Sequence, residues 1–350
     1  MKNTSTKTRL LLIYGGQSVE HDVSIMSAHN IYAAIDHKTY NVMCAYIDRS
    51  GEWWQTAKID TAKCMGKLTP LIGTGSVAAF EGTIRIDVIF AVIHGQTGED
   101  GVLQSFAQLL PAPIVGCNVE SSVLCMNKVL SKILVERNGV PIVPYIHLQN
   151  SDEKLAYHEV SNQLGVPFFI KPVRLGSSVG VVKVHNKAEY HTALNQAFKL
   201  DSNVLIETAI DAREIEISVL GHGSAIRVSG VGEIIPDREF YDYTSKYDPN
   251  SKSIIQIPAN IPDTARYEIQ NYAQKVYETL GCAGLARVDF FLSSAGEIYF
   301  SEINSMPGFT NISMYPKLWE AEGISQKELT AALIAGAIKQ SVTNDGNELE

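Results

Sequence analysis

Two hydrophobic rhythms alternate along this chain, and each switch between them marks an element. The apolar run "LLLIY" (10–14) predicts a strand. "GGQS" turns it, and Val23, Met26, Ile31, Ala34 and Ile35 then recur at roughly helical spacing. Strand patterns return at 40–47 and 88–93, the second nearly all apolar, with a further short strand expected at Ile114-Val115. Apolar strands separated by helices predict a parallel sheet covered on both faces.

The middle of the chain reads differently. "NKVLSKILVERNGVPIVPY" (127–145) predicts a helix stopped by Gly139, then a Pro-bounded strand. "VPFFIKPVRLGSSVGVVKV" (166–184) reads as strand, Gly/Ser loop, strand. A helical stretch to Lys199 and the strand "NVLIE" (203–207) follow, then strand patterns in "REIEISVLG" and "AIRVSGVGEII". A polar segment rich in Tyr, Asp and Ser runs from Pro236 to Ser253, long for a plain connection and so a candidate functional loop. The last third predicts a helix at 263–280, the hairpin "VDFFLSSAGEIYFSEINSMPG" (288–308) and a terminal helix after Ser325 that frays over "SVTNDGNELE". No repeat, heptad run or low-complexity tract interrupts this order.

At 350 residues, 45% of them hydrophobic, the chain has room for two or three domains and a sizeable core. A net charge of −9 argues against general nucleic-acid binding, which needs a basic surface, but permits a local pocket for a small anion. Five scattered cysteines without a C-x-x-C pair read as free thiols in a reducing compartment. The early apolar run is too short for a signal peptide, and no stretch of about 18 apolar residues exists to span a membrane. The expected location is the cytoplasm, with no membrane partner.

Candidate chemistry sits where charge interrupts apolar strands. In "GSSVG" (176–180) a glycine-rich loop could offer backbone N–H groups to an anion, or be an ordinary turn. It lies between two strands and lacks the Lys of a Walker A loop, so it is a hairpin flap and not a P-loop. Lys171, inside "FFIKP", needs an anion or an exit to solvent, and tilts the balance toward the anion. Lys128 is a second isolated cation; a surface helix position explains it equally well. Glu20 sits at a strand–Gly–helix junction, where it either complements the helix dipole or pairs with a substrate ammonium. His94 lies at the carboxyl end of a strand, where open α/β sheets place ligands, although a lone His is more often a structural hydrogen-bonder. In the hairpin, strand alternation puts Arg287 with Asp289 and Glu302 with Asn304. These side chains are solvated, paired or metal-bound; Asp, Glu and Asn oxygens suit Mg²⁺ rather than Zn²⁺. Lysines and a flap ahead of such a hairpin suit a nucleoside triphosphate with metal.

Six motifs, "GGQSVEHDVS", "VIHGQTGEDG", "FFIKPVRLGSSVG", "FYDYTSKY", "ARVDFFL" and "SEINSMPGFTNIS", occur in an order that resembles the D-alanine–D-alanine ligases of the ATP-grasp superfamily. The resemblance covers roughly residues 10–335. It implies an α/β and α+β ATP-grasp chain: an N-terminal parallel-sheet domain (1–122), then central (123–220) and C-terminal (221–350) domains gripping ATP between two sheets. It implies that Lys128 and Lys171 contact ATP phosphates under a flap of Gly176, Ser177, Ser178 and Gly180. Glu207, Ala209 and Ile210 would edge the adenine pocket, with Glu214 at the ribose. Asp289, Glu302 and Asn304 would hold two Mg²⁺ (or Mn²⁺). Glu20 and His94 would position the first D-alanine; Arg287, Gly308 and Ser313 would take the second, Arg287 also facing the oxyanion. Ser177 and Tyr247 would link to Glu20, with Lys246 beside them. A homodimer is implied as well.

The implied reaction runs through an acyl phosphate to D-alanyl-D-alanine, for cell-wall precursor synthesis. The Tyr-rich "FYDYTSKY" favours an amine as second nucleophile over a D-lactate acceptor; Ile312, where some relatives carry His, leaves that pocket's detail open. The competing classes are a sister ligase with a D-lactate or D-serine acceptor, another ATP-grasp carboxylate–amine ligase, and an inactive nucleotide-binding protein. The last is disfavoured because Asp289, Glu302 and Asn304 are all present. A nicotinamide dehydrogenase is disfavoured because the first Gly turn lacks G-x-G-x-x-G.

Overall fold

The computed structural model describes residues 7–150, 155–236 and 253–345. The first part contains β1 (Thr8–Gly15), α1 (His21–Ala34), β2 (Tyr40–Ile47), β3 (Trp53–Thr56), β4 (Cys64–Lys67), β5 (Thr69–Leu71), β6 (Ser76–Ala79), β7 (Gly82–Arg85), β8 (Val88–Ala91), α2 (Val102–Leu109) and α3 (Val119–Met126). Its sheet runs β4-β3-β2-β1-β8. β1 is parallel to both neighbours, as the apolar pattern predicts, and Leu10 through Tyr14 are fully buried at its centre. The antiparallel edge of β3 and β4, and the separate sheet of β5, β6 and β7, are built of strands of only three or four residues, too short to show a clear alternation. Ile114 makes a single bridge to Ile89 instead of the expected strand.

The central part contains α4 (Lys128–Arg137), β9 (Tyr145–Gln149), α5 (Tyr157–Leu164), β10 (Phe168–Pro172), β11 (Val182–Val184), α6 (Lys187–Leu200) and β12 (Asn203–Thr208). The antiparallel sheet β11-β10-β12-β9 buries Ile146, Phe168, Ile170 and Ile206 against Val160, Tyr190 and Leu194 of α5 and α6. The Pro-bounded strand expected at 141–144 begins instead at Tyr145, and Ile142 makes only a bridge to Phe300. Flanking prolines explain the delay, because they cannot donate to a ladder.

The last part contains β13 (Ala212–Gly221), β14 (Arg227–Ile235), β15 (Ile254–Gln256), α7 (Asp263–Thr279), β16 (Gly284–Ser293), β17 (Ile298–Asn304), α8 (Met314–Ala321) and α9 (Gln326–Asp345). Its sheet order is β15-β14-β13-β16-β17. All ten residues of β13 pair with β16, so this sheet takes the chain from Ala212, ahead of the division expected between 220 and 221. The terminal helix persists through Asp345, past the start of the stretch expected to fray.

Helix α4 joins two parts of the molecule. Asn127 caps it, its side chain accepting the N–H groups of Val129 and Leu130 at 3.1 Å each, worth about 1 kcal/mol. Val129 packs with Val173 and Leu205 of the central part, while the helix also packs on β17 and α7. All five cysteines are free thiols, as expected. Among the described residues no helix is long and apolar enough to cross a membrane.

Candidate active site

Two cavities lie side by side among the three parts. The first is walled by Glu20, His94 and Glu99 on one side and Arg287, Asn304, Gly308 and Ser313 on the other. The second lies between the central and last sheets. Its apolar end is made by Phe169, Val181, Ile215, Phe290 and Phe291, its polar end by Lys171, Gly176, Ser178 and Asp289. Lys128, Gly176, Glu216 and Glu302 line both cavities.

The hairpin β16–β17 supplies the carboxylates, and its register is now explicit. Asp289 pairs directly opposite Glu302, and Arg287 opposite Asn304. A bulge follows between Asp289 and Phe290, a device that re-aims side chains beside functional sites. Burial alternates along β16, with Val288, Phe290 and Leu292 in the core and Arg287 and Asp289 on the cleft face. The Arg287 guanidinium forks onto Asp289 with two bonds of 2.7 Å and reaches Glu216 at 3.0 Å. Burial opposes its charge, but Asp289 and Glu216, with Glu302 behind them, outweigh burial and hold it firmly protonated.

The cations come from α4 and β10. Lys128 Nζ donates to the Leu175 carbonyl at 2.7 Å and pairs with Glu302 at 3.1 Å. Lys171 pairs with one oxygen of Glu207, and Lys132 with the other at 2.7 Å. Burial disfavours charge on Glu207, yet the two lysines hold its carboxyl below the ordinary range.

The flap has strained backbone. Ser177 and Ser178 adopt left-handed φ values of 52° and 58°, each costing about 1 kcal/mol or more. Gly180 sits at a left-handed φ of 74°, and a Cβ there would lie 2.9 Å from the Pro172 ring, so the turn needs glycine. Ser177 Oγ donates to Glu20 at 2.5 Å, tying the flap to the residue before α1. The His94 ring is buried, with Nδ1 3.0 Å from the Met306 carbonyl and Nε2 3.1 Å from Ser27 Oγ. Burial lowers its pKa, so the ring is neutral; it donates from Nδ1 and accepts at Nε2. Both nitrogens are thus committed to the protein, and His94 lines the cavity while tying the 94–95 turn to the 306–309 turn. Ser313 precedes α8, and its Oγ accepts the Thr310 N–H at 3.0 Å.

A family model described as "D-ala D-ala ligase C-terminus" matches residues 134–335, and one described as "D-ala D-ala ligase N-terminus" matches residues 9–117. The chain belongs to the D-alanine–D-alanine ligase family. The D-alanine–D-alanine ligase of Thermoanaerobacter sp. (strain X514) is 43% identical over 349 residues, covering 95% of this chain and 97% of that one. The solved D-alanine-D-alanine ligase of Coxiella burnetii superposes with a TM-score of 0.88 at 32% identity, over 97% of this chain and 96% of its own. The VanG D-Ala:D-Ser ligase of Enterococcus faecalis superposes with a TM-score of 0.86 at 35% identity, over 94% and 99%. The fold is the ATP-grasp fold that this family shares.

Set against the family's pattern, Glu20, Lys128, Gly176, Ser177, Arg287, Glu302, Asn304, Gly308 and Ser313 converge on the first cavity, and Lys171, Ser178, Glu214 and Asp289 on the second. Lys246 and Tyr247 lie outside the described residues. Glu207, Ala209 and Ile210 wall neither cavity; the Glu207 carboxylate turns to the two lysines beneath, because they are the nearby charges that can compensate its burial. Sequence reasoning missed Lys132, Glu216, Glu99 and Ser27. Two of these leave a signal: Lys132 stands four residues after Lys128 on one helix face, and Glu216 two after Glu214 on one strand face.

Proposed function

We propose that the two joined cavities are one active site in which this ligase couples two D-alanines to D-alanyl-D-alanine as ATP becomes ADP and phosphate. The observation that carries this reading is the shared wall of Lys128, Gly176, Glu216 and Glu302, where a nucleotide in one cavity and amino-acid substrates in the other meet. The purine lies between Phe169 and Val181 on one side and Ile215 and Phe291 on the other, with Glu214 at the ribose. Its phosphates point to Lys171, Lys128 and the flap. Glu20 takes the ammonium of the first D-alanine, whose carboxylate attacks the γ-phosphorus and forms an acyl phosphate. The amine of the second D-alanine, its carboxylate near Gly308 and Ser313, attacks the acyl carbon. Arg287 stabilises the oxyanion before phosphate leaves.

The donor set fits a hard cation. Asp289, Glu302 and Asn304 present oxygens at adjacent cross-strand positions. Among the described residues no group of three or more acidic, His or Cys side chains surrounds one point, so phosphate and water oxygens would complete the shell. Two Mg²⁺ (or Mn²⁺) held there would neutralise charge on the transferring phosphoryl group. The flap shields the acyl phosphate from water. In this reading the enzyme is a cytoplasmic homodimer supplying peptidoglycan precursor.

The test offers purified protein ATP, Mg²⁺ and D-alanine, then D-serine or D-lactate beside D-alanine, with products identified by mass. The expected product is D-alanyl-D-alanine with stoichiometric ADP. No ADP release with D-alanine alone would sink the reading. A mixed product dominating at neutral pH would move the acceptor to D-serine or D-lactate.

A further inference from the structure

Lys132 has no place in the mechanism above, yet it is the most thoroughly buried cation among the described residues, with its side chain wholly out of water. It leaves α4 one turn after Lys128, lies 5.6 Å from the centre of the Phe300 ring, and has its ammonium 3.4 Å from the Phe300 carbonyl. The rest of its charge is met by Glu207 Oε1 at 2.7 Å. Glu207 itself is 3% exposed, and its other oxygen binds Lys171. Lys171 alone of the three lines the nucleotide cavity.

Three buried charges, two positive and one negative, leave a net +1. Without Lys132 the remaining pair would be neutral. Lys171 would then be bound to Glu207, and moving it toward a phosphate would strand a buried carboxylate. With Lys132 present, the carboxylate stays compensated whichever way Lys171 turns. The geometry points to Lys132 as a positioning residue, the fixed counter-ion of Glu207 that keeps Lys171 available to the phosphates of bound nucleotide. Burial lowers the pKa of Lys132, and Lys171 adds to that lowering, but Glu207 opposes both, which is the environment of a cation kept for its partner. Because α4 packs on β17 as well as on Val173 and Leu205 of the central part, the Lys132–Glu207 pair lies on the helix that joins the central and last parts.

This inference rests on the ATP-site reading. Its test measures ATP affinity by calorimetry and steady-state constants in Lys132→Met, Lys132→Arg, Glu207→Gln and the Lys132→Met/Glu207→Gln pair. Lys132→Met should weaken ATP about tenfold or more, with kcat at saturating ATP and KM for D-alanine within about threefold, and Lys132→Arg should restore most of the loss. The double variant should bind ATP as Glu207→Gln does, since no carboxylate remains to be offset. Unchanged ATP affinity in Lys132→Met would overturn the assignment, as would a gap above about threefold between the double variant and Glu207→Gln. That second comparison stands even if Lys132→Met fails to fold. If wild-type protein itself neither binds nor turns over ATP, the active-site reading fails instead.

Discussion

Two buried ion clusters meet at the nucleotide cavity with opposite stoichiometry. On the central side, two lysines, Lys132 and Lys171, share one carboxylate, Glu207. On the hairpin side, two carboxylates, Glu216 and Asp289, share one guanidinium, Arg287. Each cluster carries an excess of one charge, and each shows its majority sign on the cavity wall, the cationic one through Lys171 and the anionic one through Asp289 and Glu216. Buried charge that does not cancel is costly, by several kcal/mol per ion, unless a ligand completes it. Under the proposed function, an anion such as phosphate would complete the cationic cluster and a cation such as Mg²⁺ the anionic one.

Removing the shared ion of the anionic side should have the largest effect. Arg287→Met leaves Glu216 and Asp289 facing each other without their cation and, on the proposed mechanism, removes the oxyanion donor. Turnover should fall by about 10²–10³, and unfolding should cost about 3–5 kcal/mol less. Steady-state ADP release and thermal melts measure both; turnover kept within tenfold would break the comparison by showing that Arg287 is only a structural tie.

A smaller change sharpens it. Glu216→Gln leaves Arg287 with Asp289 as its charged partner, so metal must compete harder for that carboxylate. The Mg²⁺ concentration for half-maximal turnover should rise about three- to tenfold, and calorimetric ATP binding should become less responsive to Mg²⁺. Identical Mg²⁺ titrations in variant and wild type would mean that Glu216 does not help hold Arg287 off the metal ligand.

The smallest effect concerns pH. Glu99 lines the first cavity together with Arg287 and Glu216 of the anionic cluster, and accepts the Gly95 N–H at 2.8 Å. Burial, with Glu20 adding repulsion, pushes its carboxyl up to about 8 from an ordinary 4.5. The folded chain thus keeps a proton that the unfolded chain gives up near 4.5. Stability from this group is full below that pH, falls as pH rises, and is lost above about 8. Glu99→Gln should flatten the decline of Tm between about pH 5 and 8 by about 2 °C, the cleft water screening part of the effect. Parallel Tm profiles for the two proteins would remove Glu99 from the anionic side of the comparison.

Much of the fold is legible in apolar rhythm. The parallel strands β1, β2 and β8, the flap hairpin of β10 and β11, and the β16–β17 hairpin all follow from short apolar runs between turn residues. The helices α2, α3, α5 and α8 do not stand out, being only eight residues each, too short for a clear period. The candidate site is legible wherever a charge interrupts an apolar run, as at Lys171, Asp289 and Glu302. It is not legible at Glu207, which the family resemblance sets at the adenine pocket and whose carboxylate pairs with Lys132 and Lys171.

By itself, the sequence determined the order of motifs, the family they resemble, and the chemical types at the site: lysines for phosphate, oxygen ligands for a hard cation, a glycine-rich flap. These are local properties, carried by residue type and spacing within a few turns of chain. Tertiary structure decided which charges pair. Only sheet register sets Asp289 opposite Glu302, and only the packing of α4 against Leu205 of β12 brings Lys132 to a carboxylate 75 residues away. Spacing along the chain cannot express either fact, because both depend on cross-strand and interelement contacts formed when the separate apolar cores close on one another.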